Sequence, residues 1–222
     1  MKRMELAILA PSRGRPQNIM RLSEAVAGTT VLPCHIFVRL DDDDPSEYPE
    51  LPNATYFKGK RIFYAASLNE LAEVAKKQGY THLALLGDDV VPETEGWDKT
   101  LMESVPDLGV AYGSDGLEHL HGPDLPTHVV MPMEMYRRLG WVGMPKLRHL
   151  FCDNVWHELG QLTTLNYYPQ VKLSHYHRWN KKAADDDTYR QANDKKKRDD
   201  DRRAFEEWRD GEGLQEAAKA LR

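Results

Sequence analysis

Two carboxylates stand side by side at Asp88 and Asp89, directly after the apolar run His82-Leu83-Ala84-Leu85-Leu86 and a glycine, Gly87. Like charges that close repel unless a cation lies between them. Hard oxygen donors of this kind suit Mg²⁺ or Mn²⁺, usually shared with substrate phosphates. An acidic turn or a helix N-cap is the structural reading of the same pair. The buried strand before it, and a second acidic strand end at Asp41-Asp42-Asp43-Asp44, favour the metal. His175-Tyr176-His177 closes a later strand. Histidines two apart point to one face of an extended chain, so His175 and His177 are alternative imidazole donors for Mn²⁺, or else surface histidines. Asp153, after Leu150-Phe151-Cys152, opens a short helix. It can cap that helix, accept a proton from an acceptor hydroxyl, or do both. Arg13 and Arg15 flank Gly14 in a Gly/Pro loop. Their planar guanidinium forks suit a diphosphate, with exposed loop arginines as the alternative. The loop is neither a Walker motif nor a full dinucleotide-binding glycine fingerprint, which weighs against ATPase and dehydrogenase chemistry.

These residues need elements to hold them. Leu6 to Ala10 is a short all-apolar run closed by Pro11-Ser12-Arg13-Gly14-Arg15-Pro16, the mark of a strand covered on both faces. A helix follows, with Ile19, Leu22 and Val26 on one face and Gly28 near its end. Ile36-Phe37-Val38 is a second strand, followed by an acidic, Pro-rich loop to about Asn53. Gly59 to Tyr64 is a turn or short strand. Ser67 and Glu70 form a capping-box pattern ahead of a helical stripe of Leu68, Leu71, Ala72 and Ala75, ended by Gly79. The third strand is the run before Gly87. Strands alternating with helices predict an α/β fold with a Rossmann-like, mostly parallel sheet flanked by helices, and ligands at the carboxyl ends of its strands.

The second half is less regular. Trp97, Leu101 and Val105 suggest a helix, and Val110 to Gly113 and His128 to Met131 suggest strands. Pro132 begins a short helix that Gly140 ends. Asp153 to Leu159 is another, stopped by Gly160, and Val171 to His175 is the last strand. From Thr188 the chain is highly charged and helical, with Tyr189, Ala192, Phe205, Trp208 and Leu214 supplying a thin apolar face. The blocks Asp185-Asp186-Asp187 and Lys195 to Arg203 read as solvated surface or helix. Residues 1–180 therefore form one domain, and 181–222 a charged helical extension packed on or beside it.

The 222 residues are 41% hydrophobic and 29% charged, with a formal net charge of −5. That balance does not favour general nucleic-acid binding. Cys34 and Cys152 are far apart and suggest neither a metal pair nor a disulfide framework. No apolar run is long enough for a signal peptide or a membrane span, so a soluble cytoplasmic protein is expected.

Taken in order from Leu6 to His177, these elements resemble the GT-A-fold glycosyltransferases of the family 2 type, especially the small versions in bacteriophage genomes. The resemblance implies a nucleoside diphosphate sugar as donor, a UDP-sugar first among them, with Mn²⁺ or Mg²⁺. It implies nucleotide contacts from Pro11, Arg13, Arg15 and Asp41, from Arg61, and from the Ser67/Asn69 helix beneath the nucleotide. The family's Asp-x-Asp motif falls on Gly87-Asp88-Asp89, so Gly87 replaces the first acid. Asp88 then lies beside the donor, while Asp89 and His175, or His177 in its place, hold the metal. Asp153 matches the catalytic base. Trp97-Asp98 and Leu125-Pro126-Thr127-His128 also resemble the family, with no role assigned.

A metal-dependent hexosyltransferase that inverts the anomeric centre is expected. Its acceptor is a hydroxylated DNA base or a virion protein, and its setting the host cytoplasm if the chain is viral. The alternatives are a non-catalytic nucleotide-binding or assembly module and a sugar nucleotidyltransferase. Oligomeric state is not encoded in any pattern read here.

Overall fold

Strand β1 (Leu6–Ser12) is apolar on both sides because both sides are covered. Successive side chains alternate faces. Ala7 and Leu9 pack into one core with the helices Phe63–Lys77 and Cys152–Leu162, while Leu6, Ile8 and Ala10 pack into another with the helices Pro16–Thr29 and Trp97–Ser104. The computed structural model describes residues 4–176, 182, 190 and 194–222. His177, Asp185 to Asp187, Tyr189 and Ala192 lie outside the described residues.

The elements run β1, α1 (Pro16–Thr29), β2 (Cys34–Asp41), β3 (Ala54–Gly59), α2 (Phe63–Lys77), β4 (His82–Leu85), β5 (Val90–Pro92), α3 (Trp97–Ser104) and β6 (Val110–Ser114). Then follow α4 (Glu118–His121), β7 (Val129–Pro132), α5 (Met133–Leu139), α6 (Cys152–Leu162), β8 (Leu165–His175), α7 (Lys195–Asp210) and α8 (Glu212–Ala220). The sheet order is β3-β2-β1-β4-β7-β6-β8-β5. β3, β2, β1 and β4 are mutually parallel. β7 runs antiparallel to both β4 and β6, and β8 lies parallel to β6. The carboxyl ends of β1, β2, β4, β6 and β8 therefore share one edge with the amino end of β7. This is the α/β, Rossmann-like architecture that the alternation predicts, with antiparallel strands inserted in its second half.

Several local expectations change. Ser67 does not cap α2: the helix starts a turn earlier, and Ser67 Oγ donates to the Phe63 carbonyl at 2.6 Å from inside it. Glu70 instead meets the buried Arg39 at 2.7 Å. The strand read at Gly59 to Tyr64 lies earlier: β3 runs over Ala54–Gly59, a stretch given no element by the sequence, and α2 already begins at Phe63. Pro132 ends β7 and caps α5 instead of starting the helix. Gly160 does not stop α6; it lies within the helix, where a Cβ would meet Leu165 Cδ1 at 2.6 Å, so the missing side chain makes room for β8. β8 itself begins six residues earlier than Val171, at Leu165.

The block from Lys195 to Arg203 is not wholly solvated. Asp201 is 2% exposed and accepts hydrogen bonds from the backbone N–H groups of Arg148 (2.9 Å), His149 (3.0 Å) and Leu150 (2.9 Å). Phe205 stacks on Phe151 at 5.7 Å, and Trp208 meets Trp141 edge-on at 6.1 Å. Phe205, Trp208, Ala217 and Leu221 belong to the same core as α2 and α6. Among the described residues no helix is long and apolar enough to cross a membrane.

Candidate active site

Ser12, Asp41, Asp88, Asp115, His128 and His175 all arrive at the shared sheet edge from strand ends. They stand around or beside a cavity of about 330 Å³, a volume typical of small-molecule sites.

At the centre lies the Gly87-Asp88-Asp89 turn. Asp88 is 6% exposed; Ser12 Oγ donates to its Oδ2 at 2.6 Å, and Arg15 Nη1 to its Oδ1 at 3.3 Å. Asp89 faces Arg15 at 3.5 Å and His175 Nε2 at 3.4 Å. The two carboxylates share the strain unequally. Burial and the neighbouring charge of Asp89 raise the Asp88 pKa. Burial would raise Asp89 too, but His175 and Arg15 outweigh it and hold Asp89 ionised. The glycine before them has a steric cause. A Cβ on Gly87 would lie 2.6 Å from Asp89 Oδ1, so the carboxylate occupies the space a first acidic side chain would need.

The loop after β1 is pinned from beneath. Asp44 Oδ2 accepts from Gly14 N at 2.8 Å and from the Tyr48 hydroxyl at 3.1 Å. Arg13 donates to Asp41 at 3.0 Å and grips Asp43 with both nitrogens. Arg61 Nε lies 3.6 Å from Asp41. The buried Arg39 sets the approach to Arg61 by donating to the carbonyls of Gly59 (3.2 Å) and Lys60 (2.8 Å). Pro11, Arg13, Arg15, Asp41 and Arg61 thus share the cavity wall with Asp88 and Asp89.

Asp153 lines the same cavity from the first turn of α6, half-buried. Asn154 N donates to its Oδ1 at 3.2 Å. Burial raises its pKa despite that bond. Helices α2 and α6 both open beside the cavity on phenylalanines with positive φ, Phe63 at 65° and Phe151 at 68°. That backbone is strained for a bulky residue and tends to mark functional sites. Phe63 is 38% exposed, and its ring is approached by Arg61, Arg148 and Lys197 at 5.3, 5.8 and 5.9 Å.

Asn69 is not in the cavity wall. Its Oδ1 accepts from Val142 N (2.8 Å) and Gly143 N (2.9 Å), and its Nδ2 donates to Gly143 O at 2.7 Å. It ties α2 to the 142–143 loop. Asp98 is also structural: fully buried, it accepts from Val31 N and Leu32 N.

Two residues escaped sequence reasoning. Asp115 follows β6 and is 3% exposed; His121 Nε2 (3.0 Å), Thr127 Oγ1 (2.9 Å) and Leu117 N (2.8 Å) donate to it. His128 directly precedes β7, its ring edge-on to His175 with centroids 4.8 Å apart. Burial, reinforced by His175, pushes its pKa down to about 3, so it is neutral. The signal for Asp115 was the one used elsewhere, an acid just past a buried strand. Oxygen and imidazole donors converge at this edge, and buried His128 has no hydrogen-bond partner on either ring nitrogen among the described residues. Such donors fit a divalent cation.

No protein-family model matches the chain, and no curated protein matches it in sequence. Solved structures do match in fold. A mannosyltransferase, PcManGT from Pyrobaculum calidifontis, in complex with GDP-Man and Mn²⁺, aligns over 99% of this chain and 74% of its own, with a TM-score of 0.58 and 12% identity. Residues 1–349 of S. aureus TarS in complex with UDP-GlcNAc align over 85% of this chain and 64% of theirs, with a TM-score of 0.56 and 10% identity. The alignment spans only 37% of the longer S. aureus TarS chain. At these identities the likeness is one of fold, and the fold is GT-A-like.

Proposed function

We propose that the chain is a glycosyltransferase that moves a sugar from a nucleoside diphosphate sugar to an acceptor hydroxyl. One observation carries the reading: Asp153 lines the same cavity as the Arg13/Arg15 loop and the Asp88-Asp89 turn. A carboxylate across from cationic and acidic groups suits a donor diphosphate on one side and an acceptor on the other. That the similar structures hold GDP-Man with Mn²⁺ and UDP-GlcNAc supports a nucleotide-sugar donor.

In this reading the nucleotide lies along the loop after β1, with Asp41 and Arg61 at its nucleoside end. Asp153 takes the acceptor hydroxyl proton as the oxygen forms its bond to the anomeric carbon. The bond from that carbon to the diphosphate breaks, and Arg15 faces the negative charge that collects on the leaving group. Attack from the side opposite the diphosphate inverts the anomeric centre. A divalent ion bound near Asp89 and His175 would supply further stabilisation of the diphosphate charge. The raised Asp153 pKa brings the base nearer to neutrality, which favours proton transfer.

The finer reading is a hexosyltransferase of the small bacteriophage type, using a UDP-sugar and acting on a hydroxylated DNA base or a virion protein. The exposed Phe63 ring with Arg61, Arg148 and Lys197 around it favours the base, because an aromatic face flanked by cations stacks bases and attracts phosphate.

Thermal unfolding followed against a panel of nucleoside diphosphates and nucleotide sugars, with and without Mn²⁺, tests the donor site, since a ligand specific to the folded state raises the melting temperature. The reading expects one nucleotide to stand out and its shift to fall in Arg15→Ala. No shift with any nucleotide at saturation overturns it.

A further inference from the structure

We propose that Asp115, His128 and His175 form the binding site for a divalent first-row transition ion, beside the Asp88-Asp89 pair. The idea deepens the glycosyltransferase reading and rests on it only for what the ion does, not for its binding.

One potential ligand atom from each residue lies within 4.8 Å of the others. An ion binding nitrogen and oxygen at roughly 2.0–2.2 Å would draw them together by small side-chain rotations. Asp115 directly follows β6, His128 directly precedes β7 and His175 ends β8, three neighbouring strands, so the sheet brings the three residues together. The His175 backbone N–H also donates to the Asp115 carbonyl at 2.9 Å, which locks those two positions to each other.

His128 is the observation that points to a ligand. It is 7% exposed, and neither ring nitrogen has a hydrogen-bond partner among the described residues. Native folds rarely leave a buried imidazole unsatisfied, because each lost bond costs about 1–3 kcal/mol. An ion would satisfy one of its two nitrogens.

The surroundings are those of a metal centre. The donors on Asp115, namely His121, Thr127 and Leu117 N, hold its carboxylate in place. An ionised carboxylate has about four acceptor positions, so it retains capacity for an ion. His175 Nε2 lies 3.4 Å from Asp89, the arrangement in which a ligating imidazole passes its other N–H to a carboxylate. Asp89 then orients a ligand instead of serving as one. Two imidazoles among three ligands select Mn²⁺ to Zn²⁺ over Mg²⁺, which prefers oxygen.

The test uses the full chain, stripped by a chelator and dialysed, with no nucleotide present. Titration calorimetry with Mn²⁺ and with Co²⁺ should give one ion per chain, and Co²⁺ should develop visible bands of mixed nitrogen and oxygen ligation. His128→Ala should weaken binding at least a hundredfold, while Asp89→Asn should weaken it tenfold or less. If His128→Ala does not fold, His128→Gln and the Co²⁺ spectrum of the unaltered chain carry the test. The proposal is overturned if the stripped chain binds neither ion at millimolar concentration. It is equally overturned if Asp89→Asn abolishes binding while His128→Ala keeps it. Because no nucleotide is present, either failure is separate from failure of the donor site, which the nucleotide panel reads.

Discussion

Asp153 carries two opposed demands. Burial raises its pKa, so the folded chain holds its proton more tightly than the unfolded chain does. A carboxyl shifted upward favours folding below its unfolded pKa and loses that contribution as pH rises through the folded value. At neutral pH the charged form is therefore a burden on stability. Asp153→Asn is expected to raise the midpoint of urea unfolding at about pH 7 while lowering turnover by roughly 10²–10⁴-fold. Unchanged turnover would remove Asp153 as the base. Gly87 gives a complementary test. In Gly87→Ala only the Asp89 carboxylate needs to move, so the melting temperature should hold within a few degrees. Displacing Asp89 by about 1 Å should cost on the order of 10²-fold in kcat/KM. At this scale the sequence spoke through adjacency: Asp88-Asp89 and Asp153 were visible as acids at element ends. Asp115 carries the same local mark, an acid just past a buried strand, and went unread; His128 carries none, since what marks it is an encounter with His175 that no local spacing encodes.

Single elements hold these side chains at the right distance. The tie from Asp201 on α7 to the 148–150 backbone fixes one rim of the cavity. Asp201→Ala leaves those N–H groups without their acceptor and should cost about 3 kcal/mol or more. For a chain of this size that is a drop in melting temperature of roughly 6–12 °C, with nucleotide affinity falling as well. Asp98→Ala should also lower the melting temperature, yet leave turnover intact, because Asp98 caps a loop remote from the cavity wall. Periodicity revealed α1 and the body of α2 because each buries a single stripe. It missed the start of α2, where Phe63 adopts positive φ and the pattern of a normal cap is absent. It also treated the charges of α7 as surface, since one buried carboxylate among many exposed ones leaves no trace in composition.

Two histidines set an acid-dependent cost on the fold of the whole molecule. Burial lowers the pKa of both His82 and His149. The unfolded chain takes up these protons near its ordinary value of about pH 6.5, the folded chain only further down. Stability is complete above that pH and falls as pH drops below it, by up to about 1.4 kcal/mol per unit for each histidine. Asp88 and Asp153, shifted upward, act in the opposite sense. Between about pH 7 and pH 5 the urea midpoint of His82→Gln should therefore fall less, or rise more, than that of the unaltered chain. A slope indifferent to that substitution would mean His82 protonates as easily folded as unfolded.

At this largest scale the first half of the fold was legible because each βα unit carries its own pattern. The second half was not, because β7 is inserted between β4 and β6 by long-range pairing. The tie from Asp201 also sets an order in time. A ribosome makes every residue of the sheet edge well before it reaches α7. A nascent chain can therefore carry Arg15, Asp89 and Asp153 and still lack a fixed rim. Nucleotide binding should begin only once α7 has emerged and Asp201 and the Phe205–Trp208 face have docked, so the helices that follow the sheet act as a check that the cavity has been made whole.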